Sequence, residues 1–276
     1  MDFLKKINLG RYIDTGSPVH KLDPRTKLIT LISLSLVIFY SVSPDSAGIL
    51  TLAAILSASL LIIILSRISI KYVLKCILKY LWFFLLIVIF HSFFTPGRVM
   101  PMLEQYGIIV TYEGVHGASL MATKLFIVVL CTYIFILTTS PLEITNGIKK
   151  LCSFLKIFKV PVDDLAMMVT LAIRFIPTFF KEIRKITAAQ KARGVVFGEG
   201  SIKRRIKAIS LVITPIFYNT FKRADELNTA MICRGYRAGA VRSSYKRIRM
   251  RMGDYCVLLT VLAFFSFSML RRFYAI

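Results

Sequence analysis

The chain has 276 residues, of which 56% are hydrophobic and 18% charged, with a mean hydropathy of +0.69. A soluble globular domain is about 45–50% apolar, so the composition excludes an ordinary soluble fold. Lys and Arg number 37 against 14 Asp and Glu, a formal charge of +23, which points to partners with negative charge.

In chain order, residues 1–26 hold Lys5, Lys6, Arg11, Lys21 and Arg25 and are too polar for a secretory signal peptide. Long runs without fixed charge follow. Residues 28–44 give 17 such positions, 46–66 give 21 and 125–142 give 18. Residues 80–97 carry no charge apart from a proton on His91, and residues 255–270 give 16 more. Spanning a bilayer takes about 20 apolar residues, with a lower limit near 17. About five transmembrane helices are therefore expected, in an all-α polytopic membrane protein. Cytoplasmic loops are enriched in Lys and Arg. The N-terminal stretch, the turn with Arg67, Lys71, Lys75 and Lys79, and the stretch with Lys149, Lys150, Lys156 and Lys159 are basic, whereas residues 43–45 have no Lys or Arg and residues 96–116 have only Arg98. The N-terminus is thus expected inside. Five spans would put Arg271 and Arg272 outside, where they can snorkel.

Cys76, Cys131, Cys152, Cys233 and Cys256 form no CxxC pair and read as small packing residues. His20, His91 and His116 are far apart, and no HExxH spacing is present. His91 lies within a predicted span and reads as a helix-packing or interfacial residue rather than a functional polar group.

Residues 181–251 hold eighteen Lys or Arg against four acids. A nucleic-acid surface would interleave aromatic residues to stack bases, and none are placed so. Most of these charges are expected to face anionic lipid headgroups. Two helices are legible. One covers residues 164–192, with Pro177 inside it. The other covers residues 220–234, with Phe221, Ala224, Leu227 and Met231 at helical spacing. Residues 208–221, uncharged over 14 positions and containing Pro215, are expected as a buried or interfacial connection.

The two helices end alike, as Ala192-Arg193-Gly194 and Cys233-Arg234-Gly235. Glycine just past a helix end and a cation in its last turn are favourable, so either motif alone reads as a cap. As a pair, 41 residues apart, they put two guanidinium forks at two helix tips, suited to carboxylates on a partner.

Here the chain resembles the transmembrane T component of energy-coupling factor (ECF) transporters, which import vitamins and transition-metal ions. The resemblance runs from Val19-His20-Lys21-Leu22-Asp23-Pro24-Arg25-Thr26-Lys27 through Thr138-Thr139-Ser140-Pro141-Leu142-Glu143 and Leu171-Ala172-Ile173-Arg174-Phe175-Ile176-Pro177. It continues with Gln190-Lys191-Ala192-Arg193-Gly194, then Arg223-Ala224-Asp225-Glu226-Leu227 and Cys233-Arg234-Gly235. Cys233 stands where the family usually has a small residue such as Ala. The resemblance implies a scaffold whose two cytoplasmic helices dock, through Arg193 and Arg234, on two ATP-binding cassette ATPases. A substrate-binding S component packs on the same scaffold and is reoriented when the ATPases close.

No GxxxxGK[ST] phosphate loop is present, and Gly198-Glu199-Gly200-Ser201-Ile202-Lys203 has the wrong spacing. No catalytic constellation stands out, so no cofactor is expected here; ATP and Mg would sit on the partner ATPases. A phospholipid head-group transferase is the alternative, but it needs clustered Asp residues, and no Asp lies between Asp164 and Asp225. A self-contained secondary transporter would show inverted repeats, and none are visible. The expected organisation is a transmembrane region over residues 1–140, a cytoplasmic coupling region over 141–253 and a last transmembrane helix over 254–276.

Overall fold

The computed structural model describes residues 15–40, 46–98, 111–198, 200–237, 239 and 250–274. Lys5, Lys6, Arg11, Glu199, Arg242, Lys246, Arg247 and Arg249 lie outside the described residues, as do the side chains of Lys71, Cys76 and Arg272. The regular elements are helices: α1 (Pro24–Tyr40), α2 (Ser46–Leu65), α3 (Ile70–Ile77), a 3₁₀ turn (Leu78–Tyr80), α4 (Leu81–Phe94), α5 (Tyr112–Thr138), α6 (Pro141–Leu151), a 3₁₀ helix (Cys152–Phe158), α7 (Val162–Ala192), α8 (Ile202–Cys233) and α9 (Met252–Tyr274). The described chain forms two compact units, one of residues 15–147 with 250–274, the other of residues 148–239.

In the first unit, α2, the stretch Val73–Phe94, α5 and α9 are long and apolar enough to cross a membrane. The chain is an all-α, multi-pass membrane protein. The remaining expected span, α1, has 17 residues; at 1.5 Å per residue it rises about 26 Å, somewhat less than a hydrocarbon core of about 30 Å. α5 is central to the packing. Ile127, Leu130, Ile134 and Leu137, at helical spacing, are buried against Val37 and Ile38 of α1, Leu52 and Ile55 of α2, and Val73 and Ile77 of α3. Trp82, Phe83, Phe90 and Phe94 of α4 are exposed, as suits a helix bathed in lipid.

Hydrogen bonds sort the helix ends onto two faces. Thr15 Oγ1 donates to Ser66 O just past α2 (2.7 Å), and Lys27 Nζ donates to Thr138 O at the end of α5 (2.8 Å). On the other face, Thr111 Oγ1 donates to Thr95 O (2.8 Å) and the Arg98 N–H to Glu113 Oε2 (2.7 Å), tying the end of α4 to the start of α5. There the backbones approach closely: a Cβ on Gly114 would lie 2.9 Å from Ser92 O. His91 packs beside Gly117 and bonds Thr95 Oγ1 at 2.8 Å, the packing role its position suggested. α1 and α9 pack together and start on the same face as Ser66 and Thr138.

The recurrent sequence motifs are helix starts. Asp23 precedes α1, accepts the Arg25 N–H (3.0 Å) and is followed by Pro24 in the first helical position. Ser140 and Glu143 exchange reciprocal bonds at the start of α6, 3.3 and 3.2 Å long, as a capping box.

In the second unit, α7 and α8 run antiparallel. Asn219 Nδ2 donates to Glu182 Oε1 (2.8 Å), and Gln190 Nε2 donates to Leu211 O (3.4 Å), so moving forward along α7 moves backward along α8. Two expectations are corrected here. The helix expected over 220–234 begins at Ile202, and residues 208–221 are not a connection but its middle. The reason lies at Pro215. A proline removes the N–H that the carbonyl four residues earlier would accept. That carbonyl belongs to Leu211, and the Gln190 amide bonds it from α7. The helix continues through Pro215, as α7 does through Pro177.

Candidate functional site

Arg193 and Arg234 occupy equivalent positions at the ends of α7 and α8, with φ, ψ of −83°, 9° and −87°, 11°. After α7, the Gly194 N–H donates to Lys191 O (2.9 Å) and the Val195 N–H to Gln190 O (3.0 Å). After α8, the Gly235 N–H donates to Ile232 O (2.9 Å) and the Tyr236 N–H to Met231 O (3.0 Å). Both are Schellman motifs, with glycine at φ +84° and +77°. An added Cβ at either glycine would meet nothing within 4 Å, so the glycines answer to backbone conformation and not to crowding.

The exposed chemistry is cationic. Ala192, Arg193, Gly194, Cys233, Arg234 and Gly235 are all exposed. Among the described residues neither guanidinium makes an ion pair or side-chain hydrogen bond. The packing role expected of the cysteines fails for Cys233 and Cys256, which are exposed; Cys131 and Cys152 are half-buried. A helix tip leaves Cys233 too few neighbours to bury it.

The antiparallel pairing puts the two Arg-Gly ends at opposite ends of the hairpin. The first lies near the start of α8, since Gln190 contacts Leu211. The second lies near the start of α7, since the Gly239 N–H donates to Asp164 Oδ2 (3.2 Å). From Asp164 to Ala192, α7 climbs about 40 Å at 1.5 Å per residue. Beside the first end, Val195, Val196, Gly200, Arg204, Lys207 and Leu211 line an open groove of about 440 Å³. Near the second, Lys156 and Lys149 pair with Asp163 at 2.6 and 2.9 Å. The Lys156 bond, then the Lys149 bond, holds the Asp163 carboxyl below its ordinary range.

Sequence reasoning found both arginines and missed the side chain that sets the first one in place. Gln190 accepts the Val195 N–H through its backbone and donates to Leu211 through its side chain. No sequence signal pointed to it, because Pro215 reads in the sequence as part of a connection and not of a helix.

Along α8, Ile202, Ile206, Ile209, Ile213, Phe217 and Phe221 recur at helical spacing, and all are exposed. A stripe of this length marks an interaction surface. Among the described residues no cluster of His, Cys, Asp or Glu is arranged to hold a metal ion.

The profile of the cobalt transport protein family CbiQ matches residues 15–245. The Energy-coupling factor transporter transmembrane protein EcfT of Listeria innocua is 34% identical over 259 residues, covering 94% of this chain and 95% of that protein. Its counterpart in Bacillus subtilis is 36% identical over 255 residues, 92% and 94% of the two chains. That in Thermosediminibacter oceani is 35% identical over 270 residues, 98% and 99%. These relatives offer no support for a head-group transferase. The coverage is nearly end to end, and the chain belongs to the transmembrane components of energy-coupling factor transporters.

Proposed function

We propose that this protein is the scaffold through which two cassette ATPases, one seated at each Arg-Gly end, drive a substrate-binding S component to import a vitamin or transition-metal ion. The observation that carries the proposal is the duplicated helix end. Two Schellman turns of the same geometry present two exposed arginines at opposite ends of one hairpin. A rigid guanidinium fork suits an acidic groove, and two ends give one site per ATPase. The exposed Ile and Phe stripe of α8 is the surface we assign to the S component, an apolar partner for an apolar face. ATP and Mg belong to the ATPases, and this chain is a non-catalytic subunit. The basic faces of α7 and α8 lie on the cytoplasmic side of the cell membrane by the positive-inside rule. Arg98→Cys, in a stretch that the same rule puts outside because it holds no other Lys or Arg, should then react with an impermeant thiol reagent added outside cells, in a background freed of native cysteines, and Ser201→Cys should not.

The test of function is the Arg193→Ala/Arg234→Ala double variant in the full complex. If the arginines only cap helices, each loss costs about 1 kcal/mol or less and uptake survives. If they dock, each loss strands a partner charge at a cost of about 2–5 kcal/mol; the ATPases then co-purify poorly or hydrolyse ATP without uptake. Lys at either position should rescue only in part, because an ammonium lacks the fork. Normal uptake with normal co-purification of the ATPases would sink the proposal.

A further inference from the structure

The groove beside the first Arg-Gly end joins two chemistries. One wall is a single face of α8, since Arg204, Lys207, Ala208 and Leu211 follow the spacing that stacks side chains along a helix. At about 100° per residue, this face points away from the stripe of Ile202, Ile206 and Ile209, so it is a separate surface. The other wall is the segment after α7, where the bond from the Val195 N–H to Gln190 O holds Val195 beside Val196. Arg204 and Lys207 are exposed, and among the described residues neither makes an ion pair or a side-chain hydrogen bond. The Arg204 stem runs over bare backbone: a Cβ on Gly200 would lie 3.3 Å from its Cδ. From Arg204 to Leu211 this face extends about 10 Å, at 1.5 Å per residue. Cations stand at its near end and a leucine at its far end.

We infer that this groove binds an anionic phospholipid, with the phosphate between Arg204 and Lys207 and the start of an acyl chain against Val195, Val196 and Leu211. Each part of the ligand answers a part of the site. A guanidinium and an ammonium hold a phosphate through charge-assisted hydrogen bonds. The aliphatic walls favour hydrocarbon over water. They contain no aromatic ring, so a nucleotide base has nothing to stack on. Lys203 and Arg205 flank the groove residues in sequence and repel the cationic head of a zwitterionic lipid, which sets the preference for net negative charge. In chain order this unit lies between α5 and α9, both able to cross a membrane, so phospholipid is the amphiphile always at hand. A diffuse attraction between a basic face and headgroups would use all four cations alike, whereas this site depends on two of them.

The probes are dioleoyl phosphatidylglycerol, dioleoyl phosphatidylcholine, glycerol 3-phosphate and ATP, each added to the delipidated full-length chain in detergent. Native mass spectrometry counts bound lipid. Alkylation of Val196→Cys, in a background freed of native cysteines, reports occupancy of the groove. Phosphatidylglycerol should be retained better than phosphatidylcholine and should slow the alkylation. Arg204→Gln/Lys207→Gln should weaken phosphatidylglycerol retention about tenfold or more, the effect of losing a charge-assisted hydrogen bond. Lys203→Gln/Arg205→Gln removes the same charge from the same stretch and should weaken it by less than about threefold, as for exposed charges out of contact. All four positions are exposed, so both variants should fold. Equal losses in the two variants, or alkylation indifferent to phosphatidylglycerol, overturn the inference. Displacement of the lipid by glycerol 3-phosphate or by ATP assigns the cations to a soluble phosphate ligand and overturns it. Loss of co-purifying ATPase from Arg204→Gln/Lys207→Gln with lipid retention unchanged assigns them to a protein partner and overturns it as well.

Discussion

Asp254 and Asp23 are 231 residues apart in sequence and one hydrogen bond apart in space: the Asp254 Oδ1 accepts the Asp23 N–H at 2.8 Å. The other oxygen, Oδ2, accepts the Arg251 N–H at 2.7 Å, at the start of α9. One buried carboxylate thus serves the N-termini of α1 and α9, where unsatisfied N–H groups and the helix dipole both favour negative charge. The contact holds the first and last described helices side by side and starts them from the same face.

Asp254→Asn should be costly despite its size match. An amide can accept through only one atom, so one of the two backbone donors is left buried and unmatched, at about 1–3 kcal/mol. Thermal unfolding of the purified chain in detergent should show the loss. The same change at the exposed Asp225 should leave the midpoint in place.

Gly194→Ala and Gly235→Ala should each cost about 1–2 kcal/mol, because both glycines sit in the left-handed region. Nothing crowds either position, so Asn, which tolerates that region better, should recover part of the loss. The readout is amide exchange at Val195 and Tyr236, the donors that close the two turns. Unchanged exchange in both alanine variants would contradict this account.

Gln190 and Pro215 should be coupled. Gln190→Leu removes an exposed bond to the Leu211 carbonyl and should destabilise by about 0.5–1 kcal/mol. In a Pro215→Ala background the helix regains its own N–H donor for that carbonyl, and the same substitution should cost little. A double-mutant cycle on thermal unfolding measures the difference. Additive effects would mean that the bond to Leu211 contributes nothing.

Asp163 should make the second unit acid-sensitive. Its carboxyl is held below the ordinary range by Lys156 and Lys149, so the unfolded chain takes up the proton more readily than the folded one. The stabilisation is complete above the ordinary Asp value of about 3.9 and is lost as pH falls through the lowered one. Asp163→Asn should therefore exchange amides faster than the parent at the start of α7 near neutral pH, and the two should converge in acid. These pairs are partly solvated, so the neutral-pH difference should stay within about 1 kcal/mol.

Much of this protein is determined by local chemistry alone. Uncharged runs long enough for a bilayer dictate the membrane helices, because no other backbone arrangement satisfies its polar groups in lipid as simply. The Asp23-Pro24 and Ser140-Pro141-Leu142-Glu143 starts and the two Arg-Gly ends are also local, since caps and Schellman turns close within six residues. Those signals placed Arg193 and Arg234 correctly at helix tips. What lies between residues far apart in sequence was decided only by tertiary structure. Reading Pro215 as a break was reasonable for an isolated helix, and it failed because α8 is paired along α7, where Asn219 bonds Glu182 and Gln190 bonds the carbonyl of Leu211. The placement of the two arginines at opposite ends of one hairpin follows from the pairings of Glu182 with Asn219 and Asp164 with Gly239. The joining of α1 to α9 follows from a carboxylate that must be buried to be strong. Local rules choose the conformation of a segment, whereas the partner of an orphaned donor or acceptor is chosen by whatever the fold brings within about 3 Å of it.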